Sequence, residues 1–274
     1  MLAHQNITPE LGAELAPEIQ LTSLSDGQIS ALQQLASQRG IVVARGQVMS
    51  LEEQAAFAHR LGEPLTRPSN PSEIPVELIR IMADENSKHA AGEGWHSDVS
   101  SESEPPGLSM LRMEVVPSAG GDTLFASMTA AYDALSSAMQ RYLDGLVAVH
   151  DFSHGFKESL AEPGGRERLA DAVAANPPVR HPVVQTHPET GKKVLFVNAL
   201  FTTHIEGLPP LESAEVLQFL WRHASLPEFT CRFNWAPNSM VLWDNRSTQH
   251  KPVNDFFPAT RRLHRVVSEG DQPY

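Results

Sequence analysis

His96-Ser97-Asp98, inside the stretch Gly94-Trp95-His96-Ser97-Asp98-Val99, places two metal-ligating side chains two residues apart. In an extended segment such residues share a face, so an imidazole and a carboxylate would aim at one point. A third ligand stands far downstream, where Trp243-Asp244-Asn245-Arg246-Ser247-Thr248-Gln249-His250 ends in a histidine. Two imidazoles and one carboxylate on one face are the ligand set of non-haem Fe(II) oxygenases, which leave the other positions open for a co-substrate and O2. A lone His-x-Asp occurs by chance in many chains, so the pair needs support from elsewhere. Arg261 supplies it, because such an oxygenase must hold the distal carboxylate of a 2-oxo acid, and a guanidinium does so with two parallel charge-assisted hydrogen bonds. On a strand, Arg261 and Arg265 share a face with Leu263 while Arg262 and His264 point the other way, and two inward arginines are costly without anions.

The elements that must position these groups are mixed, with strands dominant. Ser25 or Asp26 can cap a helix that turns Ile29, Leu32 and Leu35 inward and stops at Gly40, ahead of an apolar strand over 41–44. Ser50 and Glu53 form a capping box for a second helix. Strands are expected over 76–82, 108–116, 182–185, 194–198, 229–235, 240–243 and 262–268. Pro188-Glu189-Thr190-Gly191 makes a hairpin, and Pro237-Asn238 joins two further strands. Helical patterns interrupt at 127–143 with Gly145 as the stop, at 166–175, and at 212–223, where Val216, Phe219 and Leu220 share a stripe. The expected fold is mostly β with flanking helices, a double-stranded β-helix or jelly-roll core. No repeat, low-complexity tract or linker divides the chain, so 1–274 reads as one domain. The Gly-rich, charged segment 151–178 reads as a mobile lid on that core.

Composition narrows the setting. The 274 residues, 41% of them hydrophobic, suffice for one large core. No apolar run approaches the roughly 20 residues of a membrane span, and the first residues lack an export signal, so a cytoplasmic protein with no membrane partner is expected. The formal net charge of −12 repels nucleic acid in bulk and makes Arg261 and Arg265 a local exception suited to a small anion. The single cysteine, Cys231, excludes an intramolecular disulfide and a multi-thiolate metal site, and reads as a core thiol.

Beyond the triad, the chain resembles the taurine dioxygenase family of Fe(II)- and 2-oxoglutarate-dependent oxygenases. The resemblance runs in order through Leu61-Gly62-Glu63-Pro64, Trp95 to Val99, Gly120-Gly121-Asp122-Thr123-Leu124, His181-Pro182-Val183-Val184, Val197-Asn198, Phe201-Thr202-Thr203, Trp243 to His250, and Arg261 to Arg265. It implies iron ligands at His96, Asp98 and His250, 2-oxoglutarate contacts at Thr123 and Arg261, and an anionic substrate group on Arg265. Phe156 and Phe201 match aromatic residues that wall the substrate pocket, and Val99 falls at its edge. Without the resemblance, Gly120 to Thr123 would read only as a turn. Where taurine-oxidising relatives carry a histidine, a tyrosine and an asparagine, this chain has Arg67, Asn70 and Gly92, so the substrate pocket is rebuilt.

The resemblance further implies hydroxylation of the substrate coupled to conversion of 2-oxoglutarate and O2 into succinate and CO2, in a homodimer or homotetramer. Asp98 favours hydroxylation over halogenation, since the carboxylate occupies the position a halide would need. Sulfonates such as taurine, sulfate esters, aryloxyalkanoates and amino-acid-like carboxylates all suit Arg265. Two other classes stand beside this one: a jelly-roll metalloenzyme using the triad with Zn²⁺ or Mn²⁺ for hydrolysis or isomerisation, and a non-catalytic binding protein. The first leaves Thr123 and Arg261 without a role, and the second leaves the intact ligands and both arginines without one.

Overall fold

Two β-sheets meet across the site, and their side-chain alternation explains why. A computed structural model describes residues 2–66, 73–85, 87, 92 and 94–274. Its largest sheet has seven strands in the order His4–Asn6, Ala13–Leu15, Ile41–Ala44, Met240–Asp244, Leu108–Val115, Arg261–Val267 and Ile79–Ala83, antiparallel except for the pairing of Ala13–Leu15 with Ile41–Ala44. Ile41–Ala44 and Met240–Asp244 are buried along their whole length, as continuous apolar runs of central strands should be. Alternate residues divide between the faces. Val42, Ala44, Met240 and Leu242 pack with Ile29, Leu32, Leu35 and Phe57 of the helices Asp26–Arg39 and Leu51–Leu61. Ile41, Val43, Val241, Trp243 and Leu263 face the other way, onto Phe125, Cys231 and Phe233.

That second face meets a three-stranded antiparallel sheet in which Thr123–Ser127 lies between Thr230–Phe233 and Thr248–Pro252. Two further sheets lie among the described residues: Val147–His150 between Thr202–Ile205 and Val179–Pro182, and the hairpin of Val184–Thr186 with Lys193–Leu195. A third apolar cluster joins them to the helix Pro210–Ala224. Ser50 and Glu53 form the expected capping box, Ser25 rather than Asp26 caps the first helix and forms a box with Gln28 as well, and Gly40 ends that helix at φ 73°.

Several expectations shift. The strand expected over 76–82 starts at Ile79, because Pro75 and the residues after it form a turn closed by Leu78 N–H on Pro75 O. The helix over 127–143 is two, Met128–Asp133 and Ser137–Leu143, since the Ser136 side chain caps a fresh start. On Pro210–Ala224 the buried stripe is Ser213, Leu217, Leu220 and Ala224, with Phe219 turned out. Pro188 to Gly191 does close a hairpin, whereas Pro237-Asn238 carries the chain from the small sheet to the large one. Residues 151–178 hold four short helices, Phe152–Gly155, Lys157–Ala161, Gly165–Arg168 and Ala170–Ala175.

Candidate metal centre

The stretch Trp243 to His250 works as a bridge between the sheets. Its first residues end the large-sheet strand Met240–Asp244 and its last lie in the small-sheet strand Thr248–Pro252. The turn between them is braced from beneath. Arg246 reaches Asp244 through Nε at 2.9 Å and Nη2 at 2.6 Å and takes Glu189 at 2.8 Å, while His187 Nε2 donates to Asp244 Oδ2 at 3.1 Å. Asp244 is fully buried. Burial alone would raise its carboxyl, but Arg246 and His187 hold it far below the usual carboxylate range.

This bridge delivers His250 opposite His96. The two residues form an isolated antiparallel pair in which His96 N–H donates to His250 O at 3.1 Å and His250 N–H donates to His96 O at 2.8 Å. Their rings lie 4.2 Å apart, centroid to centroid. The expected extended His96-Ser97-Asp98 segment is therefore this one bridge, after which the chain turns at Val99, whose φ of 40° is rare for a β-branched residue. One ligand atom each from His96, Asp98 and His250 lies within 4.8 Å of the others, and all three residues are buried.

The protonation states suit a cation. His96 Nδ1 donates to Gly94 O at 2.8 Å, which leaves its Nε2 lone pair free, 3.9 Å from Asp98 Oδ1. Burial, then the neighbouring His96, brings His250 down to about 3, so it is a neutral imidazole at ordinary pH. Burial also lowers His96. Burial would raise the Asp98 carboxyl, but Arg265, the two histidines and the Ser109 hydrogen bond hold it at about 2. Two neutral imidazoles and one carboxylate fit a divalent first-row metal such as Fe(II) without a protonation penalty.

Thr123 and Arg261 come together beside this centre. Thr123 pairs with Pro252 and Phe125 with His250, so Thr123 sits on the same face one step along from His250. Arg261 Nη2 lies 3.5 Å from Thr123 Oγ1, its Nε donates to Gly121 O at 3.1 Å, and Gly121 has φ 72°, where a Cβ would crowd Arg261 Cδ at 3.3 Å. Trp235 Nε1 donates to the same Thr123 hydroxyl at 3.0 Å, leaving its O–H free to donate onward. Burial lowers Arg261 to about 10, against the opposing pull of Asp122, so it stays cationic at neutral pH.

Arg265 is brought to the centre as well, but its first partner is a candidate ligand: Nη1 donates to Asp98 Oδ1 at 2.7 Å, while Nε is buried with no hydrogen-bond partner among the described residues. Arg262 and His264 lie on the other face near Glu114, as the alternation requires. Phe201 stands edge-on to His96 with centroids 6.3 Å apart, and Phe156 lies 6.3 Å from Phe201. Gly155 makes that approach possible, because a Cβ there would fall 2.3 Å from the Phe201 ring. Gly92 has φ 78° and lies over the His96 imidazole, where a Cβ would meet Cε1 at 2.8 Å. Arg67 and Asn70 lie outside the described residues.

Sequence reasoning missed the residues that hold these groups in place: Ser109 and Asn245 on Asp98, Trp235 on Thr123, and the buried set Ser100, His150 and Asn198. Asn245 was visible inside the Trp243 to His250 stretch. Ser109 carried no signal, being one serine in an apolar strand.

Two histidines and one carboxylate between two sheets, flanked by a buried arginine and threonine, make the donor set that non-haem iron oxygenases use. The model of the taurine catabolism dioxygenase TauD, TfdA family matches residues 3–267, and the chain belongs to that family. It is a 2-oxoglutarate-dependent dioxygenase, with Fe(II), 2-oxoglutarate and O2 as metal and co-substrates. The alpha-ketoglutarate-dependent sulfonate dioxygenase of Saccharomyces cerevisiae is 34% identical over 284 residues, covering 98% of this chain and 67% of that protein. The alpha-ketoglutarate-dependent 2,4-dichlorophenoxyacetate dioxygenase of Cupriavidus pinatubonensis is 34% identical over 267 residues, 91% of each chain. The crystal structure of a taurine dioxygenase from Burkholderia xenovorans superposes with a TM-score of 0.84 at 32% identity, covering 99% of this chain and 92% of that one.

Proposed function

We propose that this dioxygenase hydroxylates a small anionic molecule, a sulfonate or sulfate ester in the first place, with succinate and CO2 as co-products. In this reading His96, Asp98 and His250 hold Fe(II), and Arg261 with Thr123 holds the distal carboxylate of 2-oxoglutarate. The bound iron supplies the redox centre at which O2 and the 2-oxo acid react. The chain's own part is to aim and to exclude water. Arg261 fixes the co-substrate through charge-assisted hydrogen bonds, and the Thr123 O–H, freed by Trp235, adds a donor. Arg265, whose side chain is 21% exposed, offers its remaining guanidinium N–H groups to the substrate anion while still holding Asp98, and Phe156 and Phe201 wall off the space above His96. Gly92 leaves that space without a side chain next to the imidazole.

One observation carries the co-substrate assignment. Arg261 is buried, cationic, and has no ion-pair partner among the described residues, a costly arrangement unless an anion completes it. A carboxylate substrate is the second reading, favoured by the likeness to the 2,4-dichlorophenoxyacetate enzyme over most of both chains. We also read the large and small sheets, packed face to face around the triad, as a jelly-roll core within one domain over 1–274, and the helical segment 151–178 as its lid, supported by the approach of Phe156 to Phe201.

Succinate release measured across a panel of alkyl sulfonates including taurine, sulfate esters and aryloxyacetates tests the substrate assignment. Turnover with a sulfonate or sulfate ester well above the substrate-free rate is expected. Background rates with all of those, alongside oxidation of a carboxylate, would move the assignment to the second reading. Protease protection of 151–178 that is identical with and without 2-oxoglutarate and substrate would remove the lid.

A further inference from the structure

Asp98 is the one candidate ligand at the start of a strained turn, and two residues, Asn245 and Ser109, fix it there with three hydrogen bonds. Val99, the next residue, has φ 40°, so the local backbone does not by itself favour this direction. Asn245 grips the main chain: its Oδ1 accepts from Asp98 N–H at 2.7 Å, and its Nδ2 donates to Asp98 O at 3.0 Å and to Pro106 O at 3.2 Å. The side-chain amide thus takes the place of a paired peptide, tying the turn at 244–247 to the turn at 98–101. Ser109, on the strand Leu108–Val115, donates from Oγ to Asp98 Oδ2 at 2.8 Å. Ser109 is fully buried, and Asn245 nearly so.

The two carboxylate oxygens are thereby made unequal. Each oxygen has one donor, the neutral Ser109 hydroxyl on Oδ2 at 2.8 Å and the Arg265 guanidinium on Oδ1 at 2.7 Å, and Oδ1 is the oxygen 3.9 Å from His96 Nε2. We infer that Ser109 and Asn245 are positioning residues for the metal centre: Asn245 sets where the Asp98 backbone stands, and Ser109 sets which oxygen faces the metal and keeps the carboxylate one-handed. This assignment rests on the reading of Asp98 as an iron ligand. A carboxylate free to rotate can offer both oxygens and occupy a position that the co-substrate or O2 needs. Partners behind a ligand that act this way are worth about 10- to 100-fold in metal affinity.

Mn(II) titration of the chelator-stripped full chain, followed by the loss of the free-ion EPR signal, tests the inference with Ser109→Ala, Ser109→Thr, Asn245→Asp and Asp98→Ala. Ser109→Ala creates no clash and is expected to bind Mn(II) about tenfold more weakly or worse, with metal-free melting close to that of the parent. Ser109→Thr retains the hydroxyl and recovers most of the affinity. Asn245→Asp keeps the acceptor for Asp98 N–H, loses both donors, and weakens binding as well. Parental affinity in Ser109→Ala, alongside lost binding in Asp98→Ala, would overturn the inference and leave the ligand reading intact. A Ser109→Thr variant as weak as Ser109→Ala would assign the loss to packing and overturn it too. Parental affinity in Asp98→Ala would remove the ligand reading itself, and the inference with it.

Discussion

His96 and His250 are hydrogen-bonded to one another through their main chains, N–H to O in both directions at 3.1 and 2.8 Å, although 153 residues lie between them. The candidate metal site is thus built on backbone pairing, and the two imidazoles emerge from one rung of an incipient ladder on the same side. Asp98 completes the set only because the chain turns sharply behind it.

The support beneath this rung should be as consequential as the rung. Asp244→Ala leaves Arg246 and His187 without their buried carboxylate, and removing one member of such a pair costs about 3–5 kcal/mol. Chemical denaturation of the metal-free chain is expected to show a loss of that order. A loss below about 1 kcal/mol, the worth of an exposed pair, would contradict the bracing role.

Arg261→Lys keeps the charge but loses the planar fork. Forfeiting one charge-assisted hydrogen bond to the co-substrate, about 1.5–3 kcal/mol, raises the KM for 2-oxoglutarate about 10- to 100-fold, with a smaller effect on the substrate KM. Steady-state kinetics with each partner varied in turn would check this, and an unchanged KM for 2-oxoglutarate would place the carboxylate elsewhere.

Gly155→Ala separates substrate from co-substrate in the opposite sense. A Cβ 2.3 Å from the Phe201 ring forces the ring or the helix Phe152–Gly155 to move, while nothing near Arg261 changes. The expected result is a raised substrate KM with unaltered 2-oxoglutarate binding. Equal effects on both would show that the pocket wall is not where Phe201 stands.

Acid sensitivity follows from His150, which is fully buried between Ser100 and Thr202 and stacked on Phe196. Burial, then the neighbouring His181, lowers it to about 3 from an ordinary value of 6.5. Between those values the unfolded chain binds the proton and the folded chain does not, so stability is complete above about pH 6.5 and falls as pH drops toward 3. One such group contributes a slope of up to about 1.4 kcal/mol per pH unit. Melting of the chelator-treated protein from pH 7 to 5 should fall less steeply in His150→Gln than in the parent. Parallel curves would show that His150 takes up no proton on unfolding in this range.

Much of this site was legible beforehand, because ligand type and spacing are local properties. His96, Asp98, His250, Arg261 and Arg265 were all read from residue type and face, and the alternation on Arg261–Val267 places both arginines inward despite a register shift after Arg262. What was not legible depends on partners remote in the chain. The strand Thr248–Pro252, which carries His250, is mostly polar and reads as no strand until Thr123–Ser127 is paired against it. Ser109 and Trp235 matter only through contacts with Asp98 and Thr123, which no periodicity encodes. The break at Ala134 to Ser136 turned on a single serine cap against a continuous apolar pattern.

The central claim is that His96, Asp98 and His250 hold iron with 2-oxoglutarate beside it. Anaerobic addition of Fe(II) and then 2-oxoglutarate to the metal-free chain, watched by visible absorption, tests this most directly. A metal-to-ligand charge-transfer band that needs both additions, and that is lost in His96→Ala, is the expected result. No band in the parent chain, or an equal band in His96→Ala, would contradict the account.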